Sequence, residues 1–176
     1  MTESKPSQTR FRVAHLNPRQ PTEFTLSPDA PARAALANEL GISALHKLRF
    51  SGRIRAIDGD AWAVEGRLEA RVTQPCVVTL APVTTDLAED VARIFSPHVA
   101  TPEGDEVEMP DDEIEPLGQF IDLAAIMAEE LSLALPLYPR AKGAALDAAP
   151  EPGEDAETRK PFANLAELMK NGKKPS

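Results

Sequence analysis

Cysteine, tryptophan and tyrosine each occur once in these 176 residues, and aromatic side chains make up only 5% of the chain. A single thiol cannot close an internal disulfide. With so few aromatics, the core has to be assembled mainly from Leu, Val, Ile and Ala. No apolar run approaches the roughly 20 residues that span a bilayer. Met1 to Arg10 is polar where a signal peptide would be apolar. The expected compartment is the cytoplasm, with no membrane contact. The sequence carries no evident internal repeat, phosphate-binding glycine loop or nucleophile elbow.

Hydrophobic residues at 42% and charged residues at 27% are ordinary for a globular chain, and the length suits one domain with tails. The net charge of -9 speaks against nucleic-acid binding over the whole surface. Its distribution is uneven, however. Glu103, Asp105, Glu106, Glu108, Asp111, Asp112, Glu113 and Glu115 form one block without an intervening Lys or Arg. Without that block the chain lies within one charge of neutrality, so patches of one sign remain possible elsewhere.

Phe11, Val13 and His15 alternate with polar or small residues, and Glu23 to Leu26 is a second short extended run; both suit edge strands separated by an Asn17-Pro18 turn. Ser27 or Asp29 can cap a helix with Pro31 in its first turn, Leu36 and Leu40 on one face, and Gly41 as its left-handed stop. The strongest periodicity follows. Leu48, Phe50, Ile54 and Ala56 alternate with Lys47, Arg49, Ser51, Arg53 and Arg55. After Asp58-Gly59-Asp60, Trp62, Val64, Leu68, Ala70 and Val72 alternate with Ala63, Glu65, Arg67, Glu69 and Arg71. These are two arms of a β-hairpin with one wet face. Paired residues share a face, so the loop must hold an odd number of residues. A loop of residues 57–59 is preferred because it gives Gly59 the left-handed position, and it sets Ile54 opposite Trp62 and Lys47 opposite Glu69. A loop of residues 58–60 instead sets Arg53 against Glu65 and Arg49 against Glu69.

The even phase continues through Cys76, Val78 and Leu80, which places the thiol inward. Val83 to Phe95 fits either a helix (Leu87, Val91, Ile94, Phe95) or the odd phase of a strand (Val83, Thr85, Leu87, Val91, Phe95), and pattern alone leans to helix. Residues 97–118 are acidic and proline-containing, and form a long loop in this reading. Asp122 can cap a helix striped with Leu123, Ile126, Met127, Leu131, Ala134 and Leu135, which Pro136 ends. Residues 144–159 have the composition of a disordered linker. Phe162, Leu165 and Leu168 make a small apolar stripe ahead of Lys170, Lys173 and Lys174.

Chemistry is sparse. The wet face of the hairpin carries Lys47, Arg49, Arg53, Arg55, Arg67 and Arg71 against Glu65 and Glu69. Guanidinium groups along strands can meet RNA phosphates with salt-dependent affinity. An ordinary solvated face crossed by ion pairs explains the same residues. No aromatic interleaves with these arginines, so base stacking on that face is not indicated. Cys76, His15, His46 and His98 are scattered without zinc spacing. Cys76, expected among apolar groups, should have a raised pKa and be inert. The acidic block lacks the glycine and ligand pattern of a calcium loop. The expectation is a protein without catalytic residues, metal or cofactor.

Three segments together resemble the YceD family of large ribosomal RNA subunit accumulation proteins, also called domain of unknown function 177. They are Val72-Thr73-Gln74-Pro75-Cys76-Val77-Val78-Thr79-Leu80, leading through Pro82-Val83 to Phe95-Ser96-Pro97; Ile121-Asp122-Leu123 through Glu129-Glu130-Leu131-Ser132-Leu133-Ala134-Leu135-Pro136; and Lys160-Pro161-Phe162-Ala163-Asn164-Leu165-Ala166-Glu167-Leu168. Their order and spacing extend the likeness over most of the chain from Leu48 onward. The resemblance changes the reading of Val83 to Phe95 to strand. It implies a bacterial, non-enzymatic factor tied to 23S ribosomal RNA accumulation, with no known active site. Many members carry a Cys-x-x-Cys in the first segment and a further cysteine soon after the position of Pro136. Here Cys76 matches the first, Thr79 replaces the second, and residues 140–146 contain none, so a metal site of such relatives does not carry over.

The expected fold is α+β: an antiparallel sheet of five or six strands, open or curved into a half-barrel, with two packed helices and a flexible C-terminal tail. The domain is expected over residues 8–143, with the acidic loop inside it, then the linker, then a short helical motif and basic tail over 160–176. The expected partner is ribosomal RNA or a large-subunit precursor, met through the six cations of the hairpin. The alternative is a protein-only adapter that binds an assembly partner through Phe162, Leu165 and Leu168.

Overall fold

Two long strands, β3 (Ala44–Ala56) and β4 (Trp62–Pro75), form the hairpin that organises the molecule in the computed structural model, which describes residues 8–57, 60–98 and 114–145. Their pairing is Arg53↔Glu65, Arg49↔Glu69, Ile54↔Val64 and Ala56↔Trp62. The Ile57 N–H bonds to the Ala61 carbonyl at 2.9 Å, so the two arms stay in register as far as Ile57 and Ala61. The preferred loop over 57–59 is therefore corrected to the alternative. That register lets Ile57 close one more backbone hydrogen bond with Ala61 and sets Arg53 opposite Glu65. A register shift between Leu45 and Lys47 leaves His46 as an extra residue, and its Nε2 lies 2.9 Å from Thr73 Oγ1.

The remaining strands build outward. Strand β2 (Thr22–Leu26) pairs antiparallel with β3, and β5 (Pro82–Ser96) pairs antiparallel with β4. Strand β6 (Ile114–Pro116) runs parallel to the end of β5. The result is an open sheet in the order β2-β3-β4-β5-β6. Residues 82–96 are strand, as the family resemblance suggested and local pattern did not. A parallel partner is not among the expectations, and it interrupts the proposed loop over 97–118, of which Ile114–Pro116 are sheet. A separate ribbon pairs β1 (Arg10–Arg12) with β7 (Phe120–Asp122). The first edge strand ends earlier than its alternation suggested, since Val13–His15 is a 3-10 turn whose Val13 N–H bonds to Gln119.

Even-numbered residues of β2, of β3 from Leu48 onward and of β4 face one core with odd-numbered residues of β5, and before the bulge β3 turns Leu45 inward and His46 outward. Phe50, Ile54, Val64, Leu68 and Val72 are fully buried there. Helix α1 (Ala30–Glu39) starts at Asp29, whose carboxylate accepts the Ala32 N–H at 2.9 Å, and stops at Gly41 with φ of 65°. Helix α2 (Leu123–Ala134) is capped by Asp122 and buries Leu123, Ile126, Met127 and Leu131. Both helices join the same core cluster as the sheet, leaving the opposite face of β3, β4 and β5 to solvent. Burial of each large side chain of α2 contributes roughly 1.5–3 kcal/mol.

Arg93 anchors the arrangement from the core side. Its guanidinium meets Glu130 of α2 at 2.7 Å, Glu129 at 3.3 Å and Glu115 of β6 at 2.6 Å. Burial opposes the charge, but hydrogen bonds to Glu130 and Glu115 and the neighbouring carboxylates outweigh it and raise the pKa above the ordinary arginine value. The chain divides at Ala144/Ala145 into two units. Phe162, Leu165 and Leu168, residues 146–159 of the linker and most of the acidic block lie outside the described residues. Among the described residues, no helix is long and apolar enough to cross a membrane.

Candidate nucleic-acid interface

Strand pairing fixes the outward face as a set of cross-strand rows. One row is Glu23, Arg53, Glu65 and Ala92; the next is Thr25, Ser51, Arg67 and Asp90. Beyond these lie Arg49, Glu69 and Ala88, then Lys47, Arg71 and Asp86. All six cations expected on this face are on it. Asp86 and Asp90 of β5 and Glu23 of β2 are there too, so six cations face five carboxylates rather than two. The nearly neutral sum corrects the charge excess read from the hairpin alone.

Five of the six cations are paired. Arg53 and Arg55 reach the two oxygens of Glu65 at 2.9 and 2.6 Å, and Lys47 meets Glu69 at 3.1 Å. Arg71 grips Asp86 at 2.7 and 2.9 Å, and Arg67 meets Asp90 at 2.5 Å. Arg49 alone of the six has no carboxylate within ion-pair distance among the described residues. The paired cationic side chains keep between 41% and 60% of their surface in water, so the pairs are exposed and exchangeable. Charge is nevertheless sorted by strand. Lys47, Arg49, Arg53 and Arg55 line β3 with no acid among its outward residues, β4 mixes the signs, and the outward charges of β5 are both acidic.

Glu65 records the strength of this arrangement. Hydrogen bonds from Arg55 and then Arg53, with their charges, hold its pKa down at about 2 against an ordinary 4.5. A carboxylate depressed by folding stabilises the native state above its unfolded pKa, and that stabilisation is lost as the pH falls towards the folded value. Acid unfolding should therefore steepen between about pH 4.5 and 2. Glu65→Gln is expected to flatten that part of a stability-versus-pH curve followed by circular dichroism. Identical slopes for the two proteins would remove Glu65 from the explanation.

Cys76 is buried as its phase predicted, but its surroundings are polar. The chain leaves β4 after Pro75 and turns, and Sγ accepts N–H bonds from Ala141 at 3.3 Å, Val78 at 3.4 Å and Thr79 at 3.5 Å. The Ala141 N–H, followed by the Thr79 side chain, does most to lower the thiol pKa to about 6, overcoming burial. The expected upward shift is thus corrected: the donors come from the turn itself and from a segment sixty-five residues further on. The same turn leaves Val78 half-buried and sends Leu80, expected inward, out to 78% exposure at φ of 60°.

His15 lies in the 3-10 turn, and His98 contacts Asp60 at 3.1 Å. Among the described residues, no three of His, Cys, Asp and Glu are grouped as a metal-ligand set. A groove of about 570 Å³ between α1 and α2 is lined by Leu26, Leu36, Ala124 and Met127, and its acid Asp29 is committed to the helix cap. Thr9 and Ser27 add hydroxyls to the lining.

A family model described as "Large ribosomal RNA subunit accumulation protein YceD" matches residues 64–169. The match covers β4 to α2 and extends to the segment of Phe162, Leu165 and Leu168. It starts at Val64 rather than near Leu48, so the cations of β3 lie outside it. No curated protein and no solved structure gives a match.

Proposed function

The chain belongs to the YceD family, and on that premise we propose that it is a ribosome-biogenesis accessory factor that supports accumulation of 23S ribosomal RNA by holding the RNA backbone along β3. The family description ties the chain to large-subunit ribosomal RNA. The observation carrying the contact is the row Lys47, Arg49, Arg53 and Arg55 on the outward side of one strand. From Lys47 to Arg55 the row spans roughly 27 Å at about 3.4 Å per residue. Arg49 has no carboxylate to give up, and an exposed ion pair such as Lys47–Glu69 is worth about 0–1 kcal/mol, so phosphates can reach these cations at small cost. Such binding reads backbone and shape rather than bases. It needs no membrane, cofactor or chemical step, and it places the protein in the cytoplasm with large-subunit precursors.

The test is binding of 23S ribosomal RNA fragments by wild type and by Arg49→Glu/Arg53→Glu over a salt series. Roughly tenfold or greater loss of affinity is expected, with a salt slope shallower by about 2. Unchanged affinity and slope would refute the β3 contact. The near-neutral sum of the whole face favours a second reading, an adapter that touches only protein through Phe162, Leu165 and Leu168. Deleting residues 160–176 then abolishes association with the assembling particle, while RNA binding by the core is unaffected or absent throughout.

A further inference from the structure

The β1–β7 ribbon combines an exposed ring with cations in a way that the hairpin face does not. Its pairs are Arg10↔Asp122, Phe11↔Ile121 and Arg12↔Phe120. Phe11 and Ile121 pack towards the core, and Ile121 is 1% exposed. Arg10, Arg12 and Phe120 therefore share the outward side, and Phe120 leaves 43% of its surface in water. The Arg10 guanidinium sits 4.9 Å from the ring centroid and that of Arg12 sits 6.0 Å away. Asp122 holds Arg10 at 3.2 Å while also capping α2. Arg12 has no carboxylate partner among the described residues.

We propose that this ribbon is a second RNA contact, which stacks an unpaired nucleobase on Phe120 and directs Arg12 to the adjoining phosphate. The inference rests on RNA being the ligand, as proposed above, and adds selection for single-stranded segments. The partner follows from what each group needs. A peptide carboxylate would satisfy Arg12 and leave the ring wet. An apolar protein surface would cover the ring while stripping water from two guanidinium groups, which is costly. A nucleotide supplies a flat π-surface and an anion together, and base–aromatic stacking with arginine at the rim is sequence-tolerant. Arg10, held by Asp122, lies over the Phe120 ring and fixes it, so the base stacks on the part of the ring surface that Arg10 leaves in water.

The test uses the full chain and two RNAs: a blunt duplex, and the same duplex with a single-stranded uridine extension. Wild type should bind the extended RNA at least about fivefold more tightly than the blunt one. Phe120→Leu should erase that ratio and leave duplex affinity unchanged, whereas Phe120→Trp should keep it. Trp62 is buried, so in Phe120→Trp a fluorescence quench by oligouridine that wild type lacks would report stacking. Arg12→Gln, with the ring intact, should weaken the extended RNA more than the duplex. A preserved ratio in Phe120→Leu, or no quench in Phe120→Trp, overturns the ribbon site while duplex binding keeps the β3 contact standing. If wild type binds neither RNA, the RNA reading itself is overturned.

Discussion

Gly52→Ala is expected to lower the thermal midpoint by roughly 10 °C, equivalent to about 3 kcal/mol. Gly52 pairs with Gly66 across the centre of the β3–β4 hairpin. A Cβ on Gly52 would lie 2.1 Å from the Glu65 carbonyl oxygen and 2.5 Å from the Gly66 Cα. Both obstacles are backbone, so no rotamer relieves the overlap and β3 and β4 must separate locally. Gly41→Ala is the instructive comparison. Its Cβ meets nothing within 4 Å, and only its φ of 65° is unfavourable, at about 1–2 kcal/mol. A Gly52→Ala melt matching wild type would show that the strands can part there freely, contrary to the close approach described above.

Phe50→Ala should cost more, about 3–5 kcal/mol in urea unfolding. Phe50 is fully buried, packs 4.9 Å from Phe24 by ring centroids, and occupies the space that Gly66 leaves open. Because the two glycines offer no side chains to collapse inward, the cavity should persist. Phe50→Leu, which refills part of it, should recover more than half of the loss. A cost below about 1 kcal/mol for Phe50→Ala would mean that the sheet closes over the gap.

The sequence made the scaffold legible wherever one face alternates with the other over several residues. Leu48, Phe50, Ile54, Trp62, Val64 and Leu68 were placed inward by period alone, and Asp29, Gly41 and Asp122 marked their helix ends through local chemistry. Legibility failed where the deciding partner is distant. Asp86 and Asp90 belong to a segment whose local pattern suits helix as well as strand, so their position opposite Arg71 and Arg67 could not be read from the hairpin. The low pKa of Cys76 depends on the N–H of Ala141. Phe120 meets Arg10 and Arg12 across more than a hundred residues, while the neighbouring Phe11, the aromatic that a local reading would choose, turns inward. Charge on a sheet face is a property of three or four strands at once, and only the registers reveal it.

The most direct measurement is sedimentation of the tagged protein with large-subunit precursors across a salt series. If phosphates sit along β3, wild type should travel with the precursors at low salt and leave them at high salt, and Arg49→Glu/Arg53→Glu should leave them at a distinctly lower salt concentration. Equal, salt-resistant association of both proteins would contradict the phosphate contact and leave a protein partner to explain the binding.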